Sequence, residues 1–307
     1  MKNKILTGFL LVLIGGWGSL SAQNVGSNYA RQVNTLIGTK GVGLTSGYLY
    51  PGATYPYGMV QFTPSYFSKR SGFVINQLSG GGCEHMGNFP TFPVKGKLKM
   101  SPDNILNYRI NISEEKGHAG YYEAKVQEDI HAKLTVTERT GMASYEYPAD
   151  QQYGTVIIGG GISATPIEQA AIVITAPNKC EGYAEGGNFC GLRTPYKVYF
   201  VAEFDTDALE SGTWKRNELK PNTTFAEGEY SGVYFTFDVD KKKNVQYKIG
   251  VSYVSVENAR ENLKAENTGW DFLQIQNQAE SKWNHYLGKI EVEGTNPDRT
   301  TQFYTHL

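Results

Sequence analysis

Between Leu78 and Pro90 the chain reads Leu-Ser-Gly-Gly-Gly-Cys-Glu-His-Met-Gly-Asn-Phe-Pro. Three consecutive glycines let a backbone turn sharply or approach a ligand closely. A thiol, a carboxylate and an imidazole follow, so Gly82, Cys83, Glu84 and His85 are the candidate binding residues. A second segment, Tyr48-Leu-Tyr-Pro-Gly-Ala-Thr-Tyr-Pro-Tyr-Gly-Met-Val-Gln-Phe-Thr-Pro64, crowds aromatic rings between two Pro-containing turns and leads into a strand. Aromatic rings beside glycine and polar groups suit sugars, whose C–H faces pack on a ring while their hydroxyls take hydrogen bonds. The plain alternative is a tight structural loop in which Cys83 is buried or disulfide-bonded.

Other chemistries lack their residues. There is no HExxH, no CxxC, no phosphate-binding P-loop and no Gly-x-Ser-x-Gly elbow. Gly41-Val-Gly43 is followed by Ser46 where a dinucleotide fingerprint needs a third glycine. His85, His118, His131, His285 and His306 are dispersed, with no metal-ligand spacing. Glycoside hydrolysis needs two carboxyl groups in distinct roles. The adjacent pairs Glu114-Glu115 and Glu128-Asp129 read as solvated turns rather than as such a couple. With 29 Lys+Arg against 30 Asp+Glu, the surface lacks the basic excess that a nucleic-acid partner demands.

These residues must be positioned by the rest of the chain, and its start is an address. Lys2 and Lys4 precede the apolar run Ile5–Ile14 and the small residues Gly15–Ala22. Residues 1–22 therefore read as a signal peptide, and the protein as secreted or periplasmic. The first cysteine is Cys83, so no lipid attachment site follows the leader. No later apolar run is long enough to span a membrane. In an oxidising compartment Cys83, Cys180 and Cys190 allow three pairings, and a local Cys180–Cys190 bridge is as good a candidate as either of the others.

Residues 23–254 read as a β-sandwich. Ala132–Thr137 and Val245–Ile249 alternate in hydrophobicity; Tyr121–Val126, Ala143–Tyr147, Thr155–Ile158, Lys197–Phe204 and Val233–Asp238 are further strands. The character changes at Ser255, a good helix cap, and residues 255–288 read as two linker helices. In the second, Phe272, Ile275, Ala279, Trp283 and Leu287 share one face at helical spacing and pack on the domain's own core. Lys289–Val292 reads as a short strand. Thr300–Leu307 opens another helix that carries no stop signal, so the sequence reads as cut inside an element.

These segments, in this order, resemble the N-terminal region of glycoside hydrolase family 92, the exported calcium-dependent exo-α-mannosidases common in gut Bacteroidetes. The marks are Val33-Asn-Thr-Leu-Ile-Gly-Thr39, Pro51-Gly-Ala-Thr-Tyr-Pro-Tyr-Gly-Met-Val-Gln61, Leu78-Ser-Gly-Gly-Gly-Cys83, Gly120-Tyr-Tyr122, Leu134–Gly141, Phe189-Cys-Gly191, Gly250–Arg260, Gly269-Trp-Asp-Phe272 and Phe303-Tyr-Thr305. The resemblance implies an antiparallel sandwich of the galactose-mutarotase-like type, joined through helices to an (α/α)6 barrel that begins within residues 289–307. It implies an inverting enzyme acting on α-mannosides of N-glycans or mannan. The acid, the base and the calcium ligands belong to the barrel, and none maps onto this sequence. The chain alone is therefore expected to be inactive. The residue after Ser-Gly-x-Gly faces the leaving-group subsite in the family, and a Trp there goes with α-1,2 linkages. Cys83 at that position points away from that subgroup. Two histidines common before Leu-Ser-Gly are replaced by Ile75 and Gln77, and a frequent His near Met142-Ala143 is missing. The readings from other classes are a stand-alone sugar-binding module and a subunit that pairs with a separate barrel.

Overall fold

Alternation of buried and exposed residues decides the architecture. In a computed structural model, which describes residues 28–39, 49–65, 72–83, 85–103, 111–294 and 296–307, the strands stack as two antiparallel sheets. The expected leader, Tyr48 and Glu84 lie outside the described residues. The strands are β1 (Ala53–Thr54), β2 (Gln61–Pro64), β3 (Phe73–Val74), β4 (Thr91–Lys95), β5 (Ile112–His118) and β6 (Tyr121–Val126). Next come β7 (Ile130–Val136), β8 (Thr140–Glu146), β9 (Tyr153–Ile158), β10 (Ile167–Ala176), β11 (Lys179–Phe189) and β12 (Leu192–Phe204). The set closes with β13 (Glu210–Lys215), β14 (Glu218–Pro221), β15 (Phe225–Glu227), β16 (Ser231–Asp238) and β17 (Asn244–Ser252). One sheet runs β1-β2-β3-β4-β9-β16-β13-β14 and the other β15-β10-β11-β12-β17-β8-β7-β6-β5.

The inner faces meet through aromatic and β-branched side chains. Phe204 is central, with ring centroids of Phe235, Phe237 and Tyr247 at 4.9, 5.0 and 5.3 Å. β16 is buried along almost its whole length because the outer face of its sheet is covered too. There Trp214 and Tyr234 pack with Phe92 and Ile157.

The nine-stranded sheet carries helices on its outer face. Helix α1 (Val256–Glu266) starts at Ser255, whose Oγ accepts from Asn258 N at 3.1 Å. It lies directly on β17: a Cβ on Gly250 would sit 2.5 Å from Ala259 O, so only glycine allows this approach. Helix α2 (Phe272–Leu287) buries Ile275, Ala279 and Leu287. Trp283 Nε1 donates to Thr54 O at 2.7 Å, so the expected stripe does face the domain's own core. Helix α3 (Pro297–His306) is capped by Asn296 and inserts Tyr304. Among the described residues no helix is long and apolar enough to cross a membrane.

Two expectations need correction. Lys289–Val292 is not a strand. It follows the last turn of α2, and its polar groups are taken by Tyr304, whose hydroxyl donates to Ile290 O at 3.2 Å and accepts from Val292 N at 3.3 Å. Glu114-Glu115 is not a turn but lies in β5, at a break in register against β6 that turns both carboxylates to the sheet's own partners. Lys125 Nζ reaches Glu114 at 2.7 Å, and the Tyr122 hydroxyl donates to Glu115 at 2.9 Å. Glu128 and Asp129 do sit in a turn, and Asp129 accepts from Lys95 Nζ at 2.6 Å.

Candidate functional site

The glycine-rich segment is a loop with a closed neck. Asn76 and Asn88 pair reciprocally: Asn88 N donates to Asn76 Oδ1 at 2.7 Å, and Asn76 Nδ2 donates to Asn88 Oδ1 at 3.0 Å. Gln77 Nε2 donates to His85 O at 2.8 Å, one step further in. The tip is exposed at Leu78 and Ser79. Gly80 and Gly82 have φ of +73° and +74°, a conformation that a side chain would strain. On the return, Met86 and Phe89 also have positive φ. Left-handed backbone at such residues costs about 1–2 kcal/mol each. The closed neck and the burial of Phe89, whose ring lies 4.3 Å from that of Phe200, offset that cost.

The tip is bolted to a second loop. Cys83 forms a disulfide with Cys190, at the turn between β11 and β12. Cys180 is the free thiol, buried in the core. A local Cys180–Cys190 bridge is impossible here because β11 holds the two residues at opposite ends of an extended strand, on the order of 30 Å apart. Burial pushes the Cys180 thiol well above its ordinary pKa, so it is not a nucleophile at neutral pH.

His85 lies under the tip rather than in solvent. Its ring meets Phe189 edge-on at 4.7 Å and Tyr196 at 6.2 Å. Of the four predicted binding residues, Gly82 and Cys83 are at the tip, His85 is beneath it, and Glu84 is outside the described residues. The segment between Leu49 and Pro64 joins them: Ser79 Oγ accepts from Gln61 Nε2 at 2.6 Å and from Tyr50 N at 3.4 Å. The two segments singled out by composition therefore form one site.

Sequence reasoning missed the residues that hold it. The Tyr196 hydroxyl donates to Asn88 Oδ1 at 2.9 Å, and Asn76 Nδ2 donates to the Tyr253 hydroxyl at 3.4 Å. Burial pushes Tyr196 up to about 12, against the opposing pull of its bonds to Asn88 and Ser163. Burial likewise raises Tyr253. Both phenols stay protonated and act as hydrogen-bonding struts rather than bases. Asn88 and Tyr253 lay inside motifs already quoted, whereas nothing distinguished Tyr196 among 21 tyrosines.

The surroundings are apolar and uncovered. Leu78, Leu192, Tyr253 and Val254 are all exposed, and each adjoins or lies within two residues of a group bonded into the loop. Among the described residues, no three His, Cys, Asp or Glu side chains come together as ligands for a metal ion.

This arrangement matches known proteins along nearly its whole length. Residues 32–252 match the glycosyl hydrolase family 92 N-terminal domain, and residues 258–307 match a short part of the family's catalytic domain. A secreted glycosidase of Arthroderma benhamiae is 26% identical over 92% of this chain and 41% of its own. Among solved structures, the GH92 glycosyl hydrolase ccman5 superposes with a TM-score of 0.79 at 21% identity, over 91% of this chain and 40% of that one. The GH92 α-mannosidase BT3965 of Bacteroides thetaiotaomicron gives 0.77 at 24%, again over 91% and 40%. The chain thus spans about two fifths of the length of these relatives.

Proposed function

The chain belongs to glycoside hydrolase family 92, and from that premise we propose that it forms the amino-terminal part of an exported, calcium-dependent α-mannosidase. The substrate is an α-mannoside of an N-glycan or a mannan. The reaction is a single displacement with inversion, in which one carboxylic acid protonates the glycosidic oxygen and one carboxylate activates water. Both carboxyl groups, and the calcium, belong to the catalytic domain. The role of this chain is to build one wall of the leaving-group subsite from the loop at Ser79–Cys83.

The observation that carries this reading is the loop itself. It carries the family's Ser-Gly-x-Gly pattern, and it is rigid: its neck is closed by two amides and its tip is bolted by a disulfide. Preorganised walls of this kind favour a productive substrate pose. The exposed apolar rim at Leu78, Leu192 and Val254 fits a surface that another domain covers, which favours the enzyme over the stand-alone binding module.

The test is to express the coding frame through any in-frame continuation and assay α-1,2-, α-1,3- and α-1,6-mannobiosides. Release of β-mannose, lost on chelation and restored by calcium, is the expected result. The 307-residue chain alone releases none. Failure of the longer product on all three substrates would overturn the reading and leave binding as the function.

A further inference from the structure

We propose a second carbohydrate site: a groove along the outer side of α2 that takes a chain of neutral hexoses. It consists of two adjoining hollows of about 400 and 730 Å³, which share Tyr55, Asp271, Gln274 and Gln278 in their walls. Each volume lies in the ordinary range for small-molecule sites. The groove is separate from the glycine-rich loop, but the segment Leu49–Pro64 borders both, through Tyr55 here and through Tyr50 and Gln61 there.

The chemistry of the walls selects the ligand. Gln274, Asn277, Gln278 and Ser281 fall at i, i+3, i+4 and i+7, one face of the helix. All four are exposed, and among the described residues their side chains make no hydrogen bond. Three amides and a hydroxyl in a row offer donors and acceptors together, which is what a run of sugar hydroxyls needs. Tyr55 adds a half-buried ring whose body packs on the core, a platform for a sugar's C–H face.

The nearby charges are mostly committed elsewhere. Arg139 pairs with Glu266, which also accepts from Arg139 N at 2.8 Å and from the Thr137 hydroxyl at 2.6 Å. Asp271 caps α2, its Oδ1 accepting from Gln274 N at 3.0 Å. Lys282 lies over the Tyr286 ring at 5.7 Å. The uncommitted carboxylate of Glu138 leaves the groove slightly acidic, which disfavours phosphate and sulfate chains. The walls are also rigid. Trp283 ties α2 to Thr54, next to Tyr55, and the Thr137–Arg139 turn is tied to the end of α1 through Glu266. Little ordering is left for a ligand to impose.

Only the choice of mannose rests on the proposed function; the neutral-hexose chemistry does not. The test titrates the 307-residue protein with α-1,6-mannotetraose and, separately, with cellotetraose, by calorimetry and by NMR shift mapping. The variant is Gln274→Ala/Asn277→Ala/Gln278→Ala, which removes the amides while keeping strong helix formers, and circular dichroism checks its fold. Mannotetraose binding that shifts α2 resonances and weakens at least about tenfold in the variant, worth about 1.4 kcal/mol, supports the proposal. Cellotetraose binding alone, with the same loss in the variant, upholds the groove and overturns its assignment to mannose. Binding that the variant leaves unchanged overturns the groove while the function stands. No binding by either sugar also overturns it. So does binding by the 307-residue chain that vanishes in the longer product, because the groove is then a seam covered by the next domain.

Discussion

The loop from Asn76 to Asn88 and the helix α2 both lie on the finished sandwich, and they are held there by different forces. The loop has a covalent bridge, a neutral amide pair and ring contacts. The helix has a buried carboxylate. Glu280 on α2 accepts from Arg31 Nε at 3.0 Å, from Gln276 Nε2 at 2.7 Å and from Asn28 Nδ2 at 3.4 Å, with His118 Nε2 at 3.5 Å. Beneath it the β5–β6 turn passes so close that a Cβ on Gly120 would meet Ala279 Cβ at 2.9 Å. The disulfide and the amide pair on the loop carry no charge for acid or salt to act on, whereas the latch on the helix does.

The hardest test of that contrast removes the bridge. Cys83→Ser with Cys190→Ser opens a crosslink between residues 107 apart, which in the chain-entropy account is worth about 5 kcal/mol. Urea unfolding should show a loss of that order. Hydrogen exchange should rise in the loop and stay unchanged in α2; a rise in both would break the distinction. Next in size is Glu280→Ala. Losing hydrogen bonds to a buried charge should cost about 2–3 kcal/mol and expose α2 to exchange while the loop stays protected. Gly120→Ala follows, at about 1–2 kcal/mol for the left-handed backbone alone, since φ there is +87°. Its exchange signature should again fall on α2.

The smallest effect is a pH dependence. Burial holds His118 below its ordinary 6.5, although Glu280, Ala119 O and Glu123 pull the other way and Arg31 works with burial. The unfolded chain therefore takes up this proton first as pH falls. The stability tied to it is full above about 6.5 and is lost progressively below. Burial works to raise Glu280, but its bonds from Arg31 and Gln276 prevail, and its pKa lies below the ordinary 4.5. A second loss therefore begins near that value. The urea midpoint of the parent should decline from pH 7 to 5.5, and His118→Gln should flatten that decline. A flat parent profile would remove the charged latch from the comparison.

Much of this was readable from residue order. The alternation at Ala132–Thr137 and Val245–Ile249 became β7 and β17, and Ser255 capped α1 as its position foretold. Ile290 and Val292 mimicked a strand, but sheet formation needs a partner edge, and Tyr304 took their backbone first. The glycines marked the site. Its struts did not stand out, because Tyr196 and Asn88 meet only when β12 and the loop neck converge, 108 residues apart in the chain. The cysteine pairing was hidden for the same reason.

The pairing has a consequence for biogenesis. In the unfolded chain Cys180 lies ten residues from Cys190, whereas Cys83 is 107 away. Loop-closure entropy alone favours the short, wrong bridge by roughly 2 kcal/mol. The native sandwich reverses the choice, because Cys180 is fully enclosed once the inner faces of the two sheets pack together. Oxidation must therefore come after the sheets have packed, or an early bridge must be reshuffled. Wherever this chain folds under oxidising conditions, timing rather than spacing selects the bond, and Cys180 is the decoy that makes timing matter.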